Sequence, residues 1–241
     1  MRLARIATAD GPRFATSVEG GWQPVADPFT AFAAGSPPAV LGAPVADAEL
    51  LAPTAPAVIV GIGQPASPGG RIVAWLKSPR SVVASGVDVI ARRDAGRVVV
   101  EGEVALVIGR DTAGLTVDNA AEYVLGVTAV NDVSSPDRED PKNFEVKGGR
   151  GYTPLGPWIE TEFDLDRVDM SVRIDGVERV RTGSHELAAS AAECLAYVTH
   201  WVELGPGDIV MTGAPRSAFA IEPEALVEID VAGVPLRTRF R

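Results

Sequence analysis

Apolar residues in this chain occur mostly in short runs whose length and β-branched content are typical of β-strands. The longest are APAVIVGIG (55–63), GRVVVEGEVALVIG (96–109) and YVLGVTAVNDV (123–133), and shorter ones are VDMSVRIDG (168–176), DIVMTGA (208–214), ALVEIDVAG (225–233) and VPLRTRF (234–240). Many strands at near-regular spacing with few helices predict a mixed, β-rich α+β fold, as a barrel or sandwich with helices at its rim.

Two segments have helical spacing instead. SHELAASAAECLAYVTHWV (184–202) predicts a helix with Ser184 as its N-cap, and VDNAAEY (117–123) predicts a shorter one. Cys194 lies in the apolar part of the first helix, so we interpret it as a packed core thiol rather than a nucleophile. It is the only cysteine, which rules out an intrachain disulfide and indicates a reducing compartment.

The order of the strands divides the chain in two. RLARIATADGPRFATSVEGGWQPV reads as two or three short strands, and an Ala- and Pro-rich connection follows it. We therefore predict a small N-terminal β-rich domain over residues 1–50 and a larger catalytic domain over residues 51–241.

Composition and charge narrow the set of partners. The chain has 241 residues, 46% of them hydrophobic, and a formal net charge of −10, so its average field repels nucleic acid and anionic membranes. No signal-peptide pattern opens the chain and no run reaches transmembrane length. We expect a cytoplasmic protein with neither a nucleic-acid nor a membrane partner.

The strand at 55–63 leads into GIGQPA, which matches the dinucleotide-binding pattern G-x-G-x-x-A. That pattern requires a helix after the glycines. Pro65 and Pro68, followed by Gly69 and Gly70, occupy the place of that helix, and each proline would remove a helical hydrogen bond. We reject a dinucleotide site on this ground.

Two acids, Glu101 and Glu103, interrupt the longest apolar run. In a strand, residues i and i+2 share a face, so the two carboxylates project side by side. A central strand would have to protonate one acid, pair both with basic groups, or bind a cation between them, because buried like charges are costly. At a sheet edge, both acids would simply face water.

Four motifs occur in one order with similar spacing: EGEVALVIG (101–109), GVTAVNDVSSPD (126–137), KGGRGYTPLGPWI (147–159) and LGPGDIVMTGAP (204–215). This set resembles the fumarylacetoacetate hydrolase family over residues 57–240, with its patterns E-x-E-L-A-x-V-I-G, G-Y-T-x-x-N-D-V-S-A-R-D, K-x-F-D-x-F-x-P-L-G-P-W and L-x-P-G-D-x-I-x-T-G-T-P. The short N-terminal part also resembles the family's small leading domain.

The resemblance implies a β-sandwich roll with few helices, a homodimer, and a divalent ion, Mg²⁺ or Mn²⁺, held by Glu101, Glu103 and Asp132. Lys147 would be the active-site lysine and would hold an anionic oxygen of a 2-oxoacid or β-dicarbonyl substrate. The ion would stabilise a metal-bound enolate. Further candidates for contact with an anionic substrate are Lys77, Arg80, Arg150, Thr212 and Gly213.

The chain also departs from the family pattern. The segment GIGQPASPGGRIVAWLKSP lacks the His and Glu that activate water in the family's hydrolases. Pro136, Arg150 and Ala214 replace an arginine, an acid and a threonine of the family's motifs. The only histidines are His185, predicted at a helix start, and His200, predicted against the core.

These departures leave two functions open. One is an enzyme, with C–C bond hydrolysis as the family's usual reaction and with decarboxylation or tautomerisation better suited to the missing His. The other is a pseudoenzyme, a metal-stabilised binding or scaffold protein of the same fold without turnover.

Overall fold

A computed structural model of the chain describes residues 1–92, 94–138, 140 and 142–241. The strands are β1 Arg2–Ile6, β2 Arg13–Val18, β3 Gly21–Pro24, β4 Leu50–Leu51, β5 Ile59–Gly63, β6 Val73–Lys77, β7 Val82–Ala84, β8 Val98–Ile108, β9 Val124–Asn131, β10 Thr153–Leu155, β11 Ile159–Glu160, β12 Asp169–Ile174, β13 Val177–Gly183, β14 Ile209–Met211, β15 Ala218–Ile221, β16 Leu226–Val231 and β17 Val234–Arg239. The α-helices are α1 Pro28–Ala33, α2 Phe144–Lys147 and α3 Ala191–Thr199, and 3-10 helices cover Pro79–Ser81, Val117–Tyr123, Pro136–Arg138 and Ser184–Glu186.

The described strands form two sheets. The larger runs in the order β3-β2-β1-β11-β9-β8-β14-β5-β6, with β4, β7, β10 and β15 attached beside this path, and the smaller runs β13-β12-β16-β17. Helices are few and short. The predicted β-rich fold with few helices is therefore confirmed.

Strand β8 lies in the middle of the larger sheet. It pairs with β9 over residues 102–108 on one side, and with β15 and then β14 on the other. The possibility that Glu101 and Glu103 face water from an edge strand is thus wrong. Between them, Gly102 faces the smaller sheet, where an added Cβ would lie 2.6 Å from Val172 Cγ2. The two acids consequently point away from the packed interface between the sheets.

The N-terminal strands belong to the larger sheet. β1 pairs with β2 and β4, and also with β11, where Leu3 lies opposite Ile159. Leu3 and Phe29 of this region pack with Val107 and Leu125 of the main part in one buried cluster. The first 50 residues thus share both sheet and core with the rest, and the domain boundary at residue 50 stays a prediction.

Helix α3 begins later than predicted. Ser190 is its N-cap, because Ser190 Oγ accepts the N–H of Glu193 at 3.2 Å and Glu193 Oε2 accepts the N–H of Ser190 at 2.7 Å. The prediction of Ser184 as the cap is wrong, since Ser184 opens a separate 3-10 turn. The predicted short helix at 117–123 is present as a 3-10 helix.

Cys194 is buried on α3, as predicted. Burial raises the pKa of its thiol to about 12, so it stays protonated at neutral pH. Among the described residues, no helix is long and apolar enough to cross a membrane.

Candidate metal centre

Five charged side chains meet above β8, and each comes from a defined place in the fold. Glu101 and Glu103 come from β8, and Asp132 follows the last residue of β9. Lys77 ends β6 and Lys147 ends α2. One carboxylate oxygen from each acid lies within 4.8 Å of the others, and this is the only such cluster of potential metal ligands in the described part of the chain.

Two lysines bind the two oxygens of Asp132. The Lys147 ammonium lies 2.6 Å from Asp132 Oδ2 and 2.6 Å from Glu101 Oε2. Lys77 Nζ contacts Asp132 Oδ1 and donates to the carbonyl oxygen of Tyr152 at 2.6 Å. Both ammonium groups thereby hold the buried Asp132 in one orientation.

Burial and ion pairing shift the pKa values of these groups in opposite directions. Burial alone would raise the pKa of Asp132, but Lys77 and Lys147 hold it below its usual range. Burial alone would lower the pKa of Lys147, but Asp132 and Glu101 hold it above its usual range. For Lys77, burial prevails over Asp132 and lowers the pKa. Asp132 and Lys147 are therefore charged at neutral pH.

Glu103 differs from the other two acids, because neither lysine forms a direct ion pair with it among the described contacts. Its side chain is nearly fully buried and accepts one hydrogen bond, from the N–H of Gly213 at 2.7 Å. Burial raises the pKa of Glu103 well above its ordinary value, and the charges of Asp132 and Glu101 add to this. A cation beside Glu103 would relieve this cost.

The donor set fits a hard divalent cation. All three acids offer carboxylate oxygens, the ligands that Mg²⁺ and Mn²⁺ prefer. Three carboxylates against two ammonium groups leave one negative charge, and a divalent ion would turn this into one positive charge. A site of that sign attracts an anionic ligand.

Gly213 and Thr212 lie beside the cluster at the end of β14. Gly213 has φ +95°, which suits glycine and directs its N–H at Glu103. The Thr212 hydroxyl donates to the carbonyl of Val104 at 3.0 Å, so it ties β14 to β8 in this structure. For both residues, a contact with substrate stays a prediction.

The two predicted arginines lie at the surface. Arg80 is exposed in the 3-10 turn after β6, and Arg150 is exposed after α2. None of the side-chain hydrogen bonds or ion pairs found among the described residues joins either guanidinium to the five-residue cluster. Their role in substrate binding also stays a prediction.

Neither histidine belongs to the cluster. His185 lies in the 3-10 turn beside Asp169, with 4.0 Å between Nδ1 and Oδ1, and α3 begins six residues later. The expected position of His185 at a helix start is therefore wrong. His200 is exposed and stacks edge-on against Trp201, so its expected place against the core is wrong too.

Sequence reasoning missed two parts of the site. The first is Trp75, whose ring centroid lies 4.7 Å from Lys147 Nζ. The second is the contact of Lys77 with Asp132, since the resemblance to the family predicts only a contact to substrate for Lys77. The signal for both was the alternation along β6, which puts residues 75 and 77 on one face.

Residues 55–241 match the family described as Fumarylacetoacetate (FAA) hydrolase C-terminal, and residues 1–53 match the family described as Rv2993c-like, N-terminal. The chain therefore belongs to the fumarylacetoacetate hydrolase family. It is 30% identical to Protein Rv2993c of Mycobacterium tuberculosis, over 97% of this chain and 95% of that protein.

Two further relatives have names that describe a reaction. The crystal structure of 5-carboxymethyl-2-hydroxymuconate delta-isomerase from Mycobacterium smegmatis superposes with a TM-score of 0.90 at 32% identity, covering 100% of this chain and 99% of that one. The 4-hydroxyphenylacetate degradation bifunctional isomerase/decarboxylase of Salmonella dublin is 28% identical over 68% of this chain. The match spans 38% of that longer protein.

Proposed function

We propose that this chain is a divalent-metal-dependent enzyme that acts on a 2-oxoacid or β-dicarbonyl compound through an enolate. The observation that carries the proposal is the cluster of three carboxylates and two lysines above β8. Relatives named as isomerases and decarboxylases support enzymatic activity of this kind.

A divalent ion, Mg²⁺ or Mn²⁺, held by Glu101, Glu103 and Asp132 would supply a Lewis acid that stabilises negative charge on substrate oxygen. The Lys147 ammonium is the group in this chain best placed to bind that oxygen, because its side chain is 8% exposed and already positioned between two acids. The side chain of Lys77 is only 1% exposed, so we assign it to the orientation of Asp132 rather than to direct substrate contact.

Decarboxylation and tautomerisation fit this site better than C–C bond hydrolysis. Hydrolysis requires a base that activates water. Of the two histidines, His185 lies beside Asp169 and His200 against Trp201, so neither can serve as that base in this structure. Decarboxylation needs charge stabilisation on the enolate oxygen, and tautomerisation needs that and a proton transfer, so neither requires an activated water.

The test is turnover of oxaloacetate and of an acylpyruvate by the full chain with Mg²⁺ or Mn²⁺. Free metal ions also decarboxylate oxaloacetate, so the variant Glu103→Gln at the same metal concentration gives the background. Glu122→Gln makes the same chemical change at an exposed residue and serves as the matched control. Turnover that depends on Glu103 and survives in Glu122→Gln supports the proposal.

Metal-dependent binding of these compounds with no product would contradict it. That result would favour the alternative, a binding or scaffold protein of the same fold. A homodimeric state and a cytoplasmic location stay predictions, and neither is needed for this test.

A further inference from the structure

The short helix α2 carries Lys147 as its last residue. With four residues, Phe144–Lys147, it is too short to be stable by itself. Two backbone hydrogen bonds close it: the N–H of Lys147 donates to the carbonyl of Asn143 at 2.9 Å, and the N–H of Gly148 donates to that of Phe144 at 2.9 Å. The position of Lys147 therefore depends on contacts that α2 makes with the rest of the molecule.

Arg92 makes such a contact with its side chain. Its Nη1 donates to the carbonyl oxygens of Glu145 at 2.9 Å and Gly148 at 2.8 Å. Carbonyl groups at the C-terminal end of a helix have no partner inside the helix, and a basic side chain that binds them stabilises that end. The two carbonyls lie on either side of Lys147 in the chain, so Arg92 binds the backbone both before and after this lysine.

The backbone that leads into Arg92 is itself held by the last residues of the chain. Val89 forms a parallel bridge with Phe240. The N–H of Val89 donates to the carbonyl of Arg239 at 2.8 Å, and the N–H of Arg241 donates to the carbonyl of Val89 at 2.9 Å. Val89 is also buried in the main core. The Arg92 side chain therefore reaches α2 from a segment that is fixed to a different part of the fold.

The place of the Lys147 ammonium is narrow. Nζ lies 2.6 Å from Asp132 Oδ2 and 2.6 Å from Glu101 Oε2. The lysine side chain is long and flexible, so its position depends on where its backbone lies. A displacement of about 1 Å in a group that positions a substrate can lower the rate about 100-fold. The side-chain hydrogen bonds and ion pair found for Arg92 involve none of the three carboxylates, so any effect of Arg92 on the site is indirect.

We infer that Arg92 is a positioning residue, which holds α2 so that the Lys147 ammonium stays where it binds an anionic substrate oxygen. The inference rests on the proposed function and deepens it. Because Arg92 acts through Lys147, its loss should weaken the binding of an anion to the metal-loaded site. It should not lower the affinity for the metal, because the three carboxylates come from β8 and from the end of β9.

Calorimetry tests the inference by measuring oxalate binding to the Mn²⁺-loaded full chain, and Mn²⁺ binding to the metal-stripped chain in parallel. The variant Arg92→Gln removes the charge and is too short to reach both carbonyls. Arg97→Gln is the matched control, because Arg97 lies in the same segment and its guanidinium pairs with Asp137 at 3.4 Å instead of with α2. Lys147→Met, alone and combined with Arg92→Gln, shows whether the effect passes through the lysine.

We expect Arg92→Gln to weaken oxalate binding about 10-fold, a typical loss when a residue that orients a site group is removed, without lowering the Mn²⁺ affinity. Arg97→Gln should bind oxalate as the wild type does. Lys147→Met should also bind oxalate more weakly. Adding Arg92→Gln to it should weaken binding by less than about 2-fold, because the ammonium that Arg92 positions is already absent. If Arg92→Gln does not fold, Arg92→Lys, whose nitrogen lies one bond short of Nη1, should show a smaller loss of the same kind.

Unchanged oxalate affinity in Arg92→Gln, or in Arg92→Lys if only that variant folds, would overturn the inference. An equal loss in Arg97→Gln, or the full loss on top of Lys147→Met, would overturn it as well, because Arg92 would then act by its charge and not through Lys147. A matching fall in Mn²⁺ affinity would show that Arg92 supports the whole site rather than the lysine.

In each of those cases oxalate would still bind the metal-loaded wild type, and the proposed function would stand. Two other results would remove the proposed role of Lys147 and this inference together. One is wild-type oxalate affinity in Lys147→Met. The other is failure of oxalate to bind the metal-loaded wild type, which would also remove the proposed function.

Discussion

Glu101 and Asp132 each accept an ammonium group, whereas Glu103 accepts only the backbone N–H of Gly213. Two lysines therefore pair with two of the acids, and the third, Glu103, is 1% exposed and has no ion-pair partner among the described residues. A buried carboxylate without a counter-charge lowers stability by several kcal/mol unless it is protonated. Metal affinity and protein stability are therefore coupled through Glu103.

The variant Glu103→Gln tests that coupling. It keeps the shape of the side chain and removes its charge, so we expect it to lose stabilisation by Mn²⁺ while the metal-free protein unfolds at the same temperature or a higher one. Thermal unfolding with and without Mn²⁺ measures both effects. Glu122→Gln, on the surface, should respond to Mn²⁺ as the wild type does; a full response in Glu103→Gln would show that Glu103 is not a ligand.

Cys194 gives a prediction about pH. Its folded-state pKa is about 12, above the value of 9.0 for a free thiol, because burial disfavours the thiolate. The unfolded chain therefore loses this proton first, and the Cys194 contribution to stability is retained below about pH 9 and lost as the pH rises toward the folded value. At about pH 8, iodoacetamide should label the thiol in denaturant and leave it unlabelled in the native protein. Rapid labelling of the native protein would contradict the burial of Cys194.

Among the elements, α3 depends on its N-cap. Ser190 and Glu193 satisfy each other's backbone N–H groups in a capping box. Ser190→Ala should lower the free energy of unfolding by about 1 kcal/mol, and Ser190→Asp should restore most of it. Chemical denaturation measures both. An unchanged midpoint in Ser190→Ala would mean that α3 does not depend on this cap.

The same element shows why its start was mispredicted from sequence. Ser184 and Ser190 both precede apolar residues at helical spacing, but only Ser190 has Glu three residues later. That pattern was present in the sequence and identifies the correct cap. The strand predicted at β8 is present in the middle of a sheet, because the residues around Glu101 and Glu103 are apolar on both faces, which is typical of a strand covered on both sides.

The sequence likewise predicts some parts of the site and not others. Glu101, Glu103, Asp132 and Lys147 could be named from their motifs, and the structure brings these four residues together. The alternation along β6 indicates that Trp75 and Lys77 share a face, but their contacts with Lys147 and Asp132 could not be predicted. Both depend on the pairing of β5 with β6, and the register of a pair is set by contacts far apart in sequence.

For the molecule as a whole, the N-terminal strands are integral to stability. Leu3 is 1% exposed in the cluster that joins β1 to β11, whereas Leu41 in the same region is 54% exposed. Leu3→Ala should lower the free energy of unfolding of the whole chain by about 2 to 5 kcal/mol, while Leu41→Ala should change it by less than about 0.5 kcal/mol. A single unfolding transition, shifted as a whole, is expected in Leu3→Ala. A separate early transition with the main one unshifted would show that the two regions unfold independently.

The central measurement for the whole protein is a calorimetric titration of the metal-stripped chain with Mn²⁺, followed by oxalate. Three carboxylates with one uncompensated charge should bind one Mn²⁺ per chain, and oxalate, a mimic of a 2-oxoacid enolate, should bind only after the metal. Binding of Mn²⁺ without oxalate would favour a structural role for the ion. The absence of Mn²⁺ binding would contradict the assignment of Glu101, Glu103 and Asp132 as a metal centre, and the proposed catalysis would fail with it.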